Sequence, residues 1–136
     1  TETSAVSNLV SAHDLITRLN RLGCRFALDD FGSGFSSFSH LKHLPVDFIK
    51  IDGLFVHGVS SDPSDRAIVN SINDIAHSLG KKTIAEYVEN AEILHFLYES
   101  GVDYVQGHYI SSSQDINLIS PGGCLTVLEE EPSPTR

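Results

Sequence analysis

The chain is poor in cations. Nine Lys and Arg stand against 18 Asp and Glu in 136 residues, a formal net charge of −9. That balance argues against non-specific binding to a nucleic-acid polymer or to anionic lipid. It leaves an anionic substrate open, provided metal ions supply the positive charge. Long hydrophobic runs are missing too. None approaches the roughly 18 residues that a membrane-spanning helix needs, and residues 1–20 carry no signal-peptide pattern. Cysteine is scarce: Cys24 and Cys124 lie far apart without CxxC spacing, which points to reduced thiols in a cytoplasmic setting. Trp and Met are absent. What remains is globular, 40% hydrophobic and of a length usual for one domain.

Three amphipathic helices are expected from their period. Leu15, Ile16, Leu19 and Leu22 form one apolar stripe, stopped by Gly23. Ile68, Ile72, Ile75 and Leu79 form a second, opened at Asp62-Pro63 or Ser64 and closed by Gly80. Asn90 caps a third, with Ile93, Leu94, Leu97 and Tyr98 inward and Gly101 at its end. A shorter helix spans about Phe35 to Lys42. Strand-type runs fall between them at Arg25 to Leu28, Phe48 to Ile51, Lys82 to Ala85 and Val102 to Val105. Residues 113–136 read as an irregular tail, with one short strand at Leu125 to Leu128. The alternation over residues 9–106 is that of parallel βα units. Four such units make half of a closed (β/α)8 barrel or an open flavodoxin-like sheet, and pattern alone does not separate the two.

Polar residues gather where the strands end. The first run ends in Asp29-Asp30, the second in Lys50-Ile51-Asp52, the third in Glu86 and the fourth in Gln106-Gly107. Strand alternation sets Lys50 and Asp52 opposite Ile49 and Ile51. In parallel α/β architectures the C-terminal strand edge is where ligands bind, so the spacing reads as an active site.

Each motif has a plainer reading. Asp29-Asp30 is either a solvated turn or a pair of carboxylates that holds divalent cations for phosphoryl chemistry. Phe31-Gly32-Ser33-Gly34 lets a loop fold tightly, and Ser33 is placed to cap the next helix, but the segment fits neither a phosphate loop nor a nucleophile elbow. Glu89 is either a metal ligand or a charge at a helix N-terminus. Lys50 in an apolar strand demands an anionic partner. The seven histidines, His40 and His43 among them, read as surface or helix-face residues rather than ligands.

Asp29-Asp30-Phe31-Gly32-Ser33-Gly34, Ile49-Lys50-Ile51-Asp52, Ala85-Glu86-Tyr87-Val88-Glu89 and Gln106-Gly107 together resemble the C-terminal half of an EAL domain, the bacterial phosphodiesterase that linearises cyclic di-GMP. The resemblance implies residues 1–112 of a TIM-like barrel, of which this chain supplies about half, four βα units. It implies a two-metal hydrolase of second-messenger signalling that uses Mg²⁺ or Mn²⁺ and releases linear pGpG. Asp29 then bridges the metals, Asp30 binds the second, and Glu86 and Glu89 are further metal ligands. Glu86 and Lys50 are catalytic, as base and as charge stabiliser. Gln106, Asp52 and Glu2 support substrate and ligands, Glu2 by steadying the loop after Asp30.

The implied partners are cyclic di-GMP, a second copy through the loop 31–37 and the helix after it, and further GGDEF or sensor domains of a parent chain, whose membrane attachment stays open. Ser33 stands where the family usually has Thr, Tyr87 where it has Gly, and His108 where Tyr is common. The Glu-Ala-Leu strand end, the site asparagine and the first glutamate of E-x-T-E are expected upstream of Thr1. The fragment alone is therefore expected to be inactive and to self-associate through an uncovered sheet face. The competing function is a degenerate EAL domain that binds cyclic di-GMP or a protein without catalysis.

Overall fold

Apolar stripes and helix caps decide where the chain folds back. The structure, a computed structural model, describes residues 2–33 and 38–110, the side chains of residues 2–7 and 40 excepted. Its elements are α1 (Glu2–Asn20), β1 (Ala27–Phe31), α2 (Phe38–His43), β2 (Phe48–Ile51), α3 (Gly53–Gly58), α4 (Pro63–Ser78), β3 (Lys82–Ala85), α5 (Ala91–Ser100) and β4 (Tyr104–Val105). The expected tail over 113–136 and its strand at Leu125 to Leu128 lie outside the described residues.

The caps follow the expected chemistry. Asp62 accepts a hydrogen bond from the Ser64 amide at 2.8 Å with Pro63 opening α4, and Asn90 accepts from the Ile93 amide at 2.9 Å to open α5. Gly101 ends α5 in the left-handed conformation, φ 78°. The buried stripes, however, are narrower than expected and rotated. On α1 the core takes Ile16 with Leu9 and Ala12, while Leu15, and Leu22 in the turn after the helix, point to solvent. On α4 it takes Val69, Ile72, Asn73 and Ala76, and on α5 Ile93 and Leu97, with Tyr98 79% exposed. A helix laid on one sheet face buries a single stripe. Apolar residues flanking that stripe stay at its margin.

The four strands are all parallel and lie in the order β1-β2-β3-β4. No strand order reverses, as it must in a doubly wound flavodoxin-like sheet, so the topology is that of a partial barrel. Ile49, Ile51, Thr83 and Ala85 are fully buried beneath the helices. The opposite face carries Ala27, Phe48, Lys50, Ile84 and Tyr104. There the Phe48 and Tyr104 rings meet edge to face at 5.9 Å and cover Ile84, and a groove opens along Arg25, Ala27, Phe48, Tyr104 and Gln106. No described element covers that face.

Two differences from expectation concern the strands. β1 starts at Ala27 rather than Arg25 and runs through Asp29-Asp30 instead of stopping before them. β4 is only Tyr104–Val105. Among described residues α2 runs from Phe38 to His43, and the expected cap at Ser33 adjoins residues 34–37, which lie outside the described residues. The short helix α3, directly after Asp52, was not expected at all.

At the N-terminal edge of the sheet a polar network fastens α4 to β3 and β4. The Asp103 carboxylate accepts from the Thr83 amide at 2.8 Å and pairs with His77 Nε2 at 2.6 Å, while Thr83 Oγ1 donates to Asn73 Oδ1 at 2.6 Å. Partial burial alone would raise the Asp103 carboxyl, but the Thr83 amide and His77 outweigh it and hold it below the usual carboxylate range. A depressed folded-state pKa contributes stability that is complete above the unfolded value and lost as pH falls through the folded one. Asp103→Asn is therefore expected to cost about 1 kcal/mol at pH 7. Urea denaturation should show that deficit shrinking as pH drops below about 4, toward the lower value at which the folded wild-type carboxylate also becomes neutral. A deficit unchanged down to acid pH would contradict the assignment.

Candidate active site at the C-terminal strand edge

Adjacent residues on a regular strand face opposite ways, so Asp29 and Asp30 could not share a site on one. β1 resolves this with a bulge. Leu28 pairs with Ile49 and Phe31 with Ile51, so three steps on β1 match two on β2. Asp30 takes the left-handed conformation, φ 48°, which short polar side chains tolerate. Its amide donates to Asp29 Oδ1 at 2.9 Å. Both carboxylates thereby turn toward β3, and single oxygens of Asp29, Asp30 and Glu86 lie within 4.8 Å of one another.

Glu86 directly follows β3 with its side chain 1% exposed, and Lys50 reaches it from β2 as an ion pair. Lys50 also lies 3.4 Å from Asp29 Oδ1, a weaker contact because Asp29 is 58% exposed. Burial alone would lower the Lys50 ammonium; Glu86 and Asp29 outweigh it and hold it above its ordinary value. The lysine is charged across the neutral range. Three carboxylates against one ammonium leave two negative charges in the cluster. That donor set of hard oxygens, with that residual charge, fits a divalent cation. Gln106, 4% exposed, follows β4, and its Oε1 is buried without a hydrogen-bond partner among the described residues. A buried acceptor in that state can take a hydrogen bond from a ligand or a water.

The remaining expected site residues fall elsewhere. Asp52, which alternation set beside Lys50, caps α3: its Oδ1 accepts from the Leu54 amide at 2.8 Å and its Oδ2 from Ser33 Oγ. It therefore holds the loop that leaves the bulge. Glu89 lies outside the three-carboxylate group and pairs with His57 Nδ1 at 3.2 Å, both exposed. The Glu2 side chain is outside the described residues. Sequence reasoning passed over α3 and with it His57. The signal was present, since Asp52-Gly53 ahead of Leu54-Phe55-Val56 is an N-cap before an apolar run.

Lys50→Met should strand the buried Glu86 carboxylate and destabilise the chain by about 3 kcal/mol at pH 7. Lys50→Met/Glu86→Gln should regain at least half of that loss, as read from urea midpoints. A double variant as unstable as the two single losses combined would mean that the pair is not coupled.

Comparisons with known proteins agree with this geometry. The family model described as the EAL domain matches residues 1–113. The cyclic di-GMP phosphodiesterase PdeB of Shewanella oneidensis is 46% identical over 116 residues, which are 85% of this chain and 14% of that protein. The cyclic di-GMP phosphodiesterase PdeF of Escherichia coli is 40% identical over 116 residues, 85% of this chain and 16% of that one. Among solved structures, the EAL domain of Mycobacterium smegmatis DcpA aligns with a TM-score of 0.73 at 36% identity, covering 76% of this chain and 47% of that domain. The FimX EAL domain of Pseudomonas aeruginosa bound to c-di-GMP aligns at 0.72 and 36%, covering 82% and 46%. The chain thus spans under half of the solved domains it matches and a small part of the curated proteins.

Proposed function

Because the chain belongs to the EAL domain family, we propose that it supplies the metal-binding strand edge of a phosphodiesterase that opens cyclic di-GMP to linear pGpG. The observation that carries this reading is the convergence of Asp29, Asp30 and Glu86 beside a half-buried, charged Lys50 at the ends of parallel strands. In this reading residues 1–112 are the C-terminal half of the domain. It works in the cytoplasm.

Asp29, Asp30 and Glu86 hold divalent cations, Mg²⁺ or Mn²⁺, two in a complete site, with Glu89 as a further ligand. When bound, such ions supply Lewis acidity toward a phosphoryl oxygen and lower the pKa of a water. Glu86 takes the proton of the attacking water on its carboxylate. The water oxygen forms the new P–O bond as the ester bond to the leaving ribose oxygen breaks, and that oxygen recovers a proton. The Lys50 ammonium faces the negative charge that gathers on water and phosphate during attack, and it spends no reorganisation because Glu86 and Asp29 already fix it. Gln106 offers a substrate donor its buried Oε1, which has no partner among the described residues. Pairing of two copies through the loop 31–37 and α2 is part of the same reading, and the 54% exposure of Phe38 at the head of α2 supports it.

In an assembled domain carrying this chain, Glu86→Gln keeps volume and removes basicity. Turnover of cyclic di-GMP should fall about 10²–10⁴-fold, with substrate affinity by calorimetry largely kept. Asp29→Asn should abolish turnover and leave the fold intact. Near-wild-type turnover by Asp29→Asn, or affinity falling in step with rate for Glu86→Gln, would contradict these roles. Cyclic di-GMP binding without any turnover by the wild type would favour a sensor.

A further inference from the structure

Tyr87 stands between Glu86 and Glu89 in a backbone conformation that suits glycine. Its φ is 59°, in the left-handed region that a bulky side chain rarely enters. Such a conformation persists only where surrounding contacts enforce it. The contact is with Gly53, the buried first residue of α3: a methyl group there would overlap the Tyr87 ring. The ring therefore fills a space that only glycine leaves open.

α3 is also the element that meets both acidic ends of the site. At its head Asp52 receives Ser33 from the loop that leaves the Asp29-Asp30 bulge, and in its last turn His57 pairs with Glu89 at 3.2 Å. On the other side the turn is pinned to the end of β4. The Val88 amide donates to the Gln106 carbonyl at 2.9 Å, and Gly107 presses so closely on Val88 that no Cβ fits between them. The segment Glu86 to Glu89 is clamped between α3 and β4, with the Tyr87 ring packed on α3 beside the Glu89–His57 pair.

We propose that Tyr87 is a positioning residue for the metal site. Its ring, seated on Gly53, fixes the left-handed turn and so sets Glu86 against Asp29 and Asp30, and Glu89 against His57. A glycine at the same place is free of backbone strain but samples a far wider range of φ and ψ, so the carboxylates on either side lose their fixed spacing. The proposal rests on the reading of Asp29, Asp30 and Glu86 as ligands of a divalent cation.

The test is Mn²⁺ binding to the chain, followed by electron paramagnetic resonance, with far-UV circular dichroism to establish folding. Tyr87→Gly should weaken binding about tenfold, the scale of effects from residues that orient metal ligands. Tyr87→Phe, which keeps the ring, should bind as the wild type does. Gly53→Ala displaces the ring with Tyr87 itself intact and should lose a similar factor. Gly53→Ala/Tyr87→Gly should bind no worse than Tyr87→Gly alone. Wild-type affinity in a folded Tyr87→Gly, or losses that simply multiply in the double variant, would overturn the proposal. Should Tyr87→Gly lose its helical signal, Gly53→Ala decides: wild-type affinity there overturns it as well. Asp29→Asn keeps the two readings apart. If it weakens Mn²⁺ binding and the Tyr87 and Gly53 variants do not, only the positioning role fails. If it leaves Mn²⁺ binding unchanged, the metal reading fails and the positioning role with it.

Discussion

The ion pair of Lys50 with Glu86 is the interaction on which the rest of the site depends. A carboxylate as buried as Glu86 is too costly to keep charged unless a cation stands beside it. That cation comes from the neighbouring strand. Parallel pairing of Lys50 with Ile84 and of Ile51 with Ala85 brings the two side chains together at the C-terminal edge. Everything acidic in the cluster is then arranged around an ammonium that is already held. The cost of the arrangement falls on the open sheet face, which carries Lys50 among apolar neighbours, while Ile49 and Ile51 on the other face fill the core.

Much of this was legible in the residues. The bounds of β2 and β3, the caps at Asp62 and Asn90 and the stop at Gly101 follow from local chemistry, and local chemistry is what a sequence displays. The clustering of polar residues at strand ends also showed, because period-two alternation makes Lys50 conspicuous between Ile49 and Ile51. The direction of single side chains was harder to read. Leu15, Leu22 and Tyr98 are apolar and in phase with buried neighbours, but which stripe is buried depends on how each helix sits on the sheet. β1 was misplaced for a related reason. A strand that ends in two aspartates reads as ended before them, whereas the bulge lets both acids belong to it.

α3 was missed because Asp52 looked like the end of a strand and not the beginning of a helix. Both descriptions hold: β2 stops at Ile51, and Asp52 caps the next element one residue later. That economy matters to the site. It places a rigid turn of helix within reach of the loop after the bulge, of the Tyr87 ring and of Glu89. The family resemblance implied a role for Asp52 and Glu89 near the metals. In the structure Asp52 caps α3 and receives Ser33 from the loop after the bulge, and Glu89 pairs with His57 of α3. The open strand order of a partial barrel, with the described helices on one face, leaves the acidic edge and the groove beside it continuous.

The central claim is that the bulge in β1 delivers Asp29 and Asp30 to Glu86 so that the three together hold a divalent cation. Paramagnetic broadening tests it most directly. Sub-stoichiometric Mn²⁺ added to the isotopically labelled chain should first erase the amide signals of Asp30, Phe31 and Glu86. Those of Thr83 and Asp103, toward the N-terminal ends of β3 and β4, should fade only at higher Mn²⁺. Broadening that begins instead at the acidic run Glu129-Glu130-Glu131, with the Asp30 and Glu86 signals intact, would contradict the account.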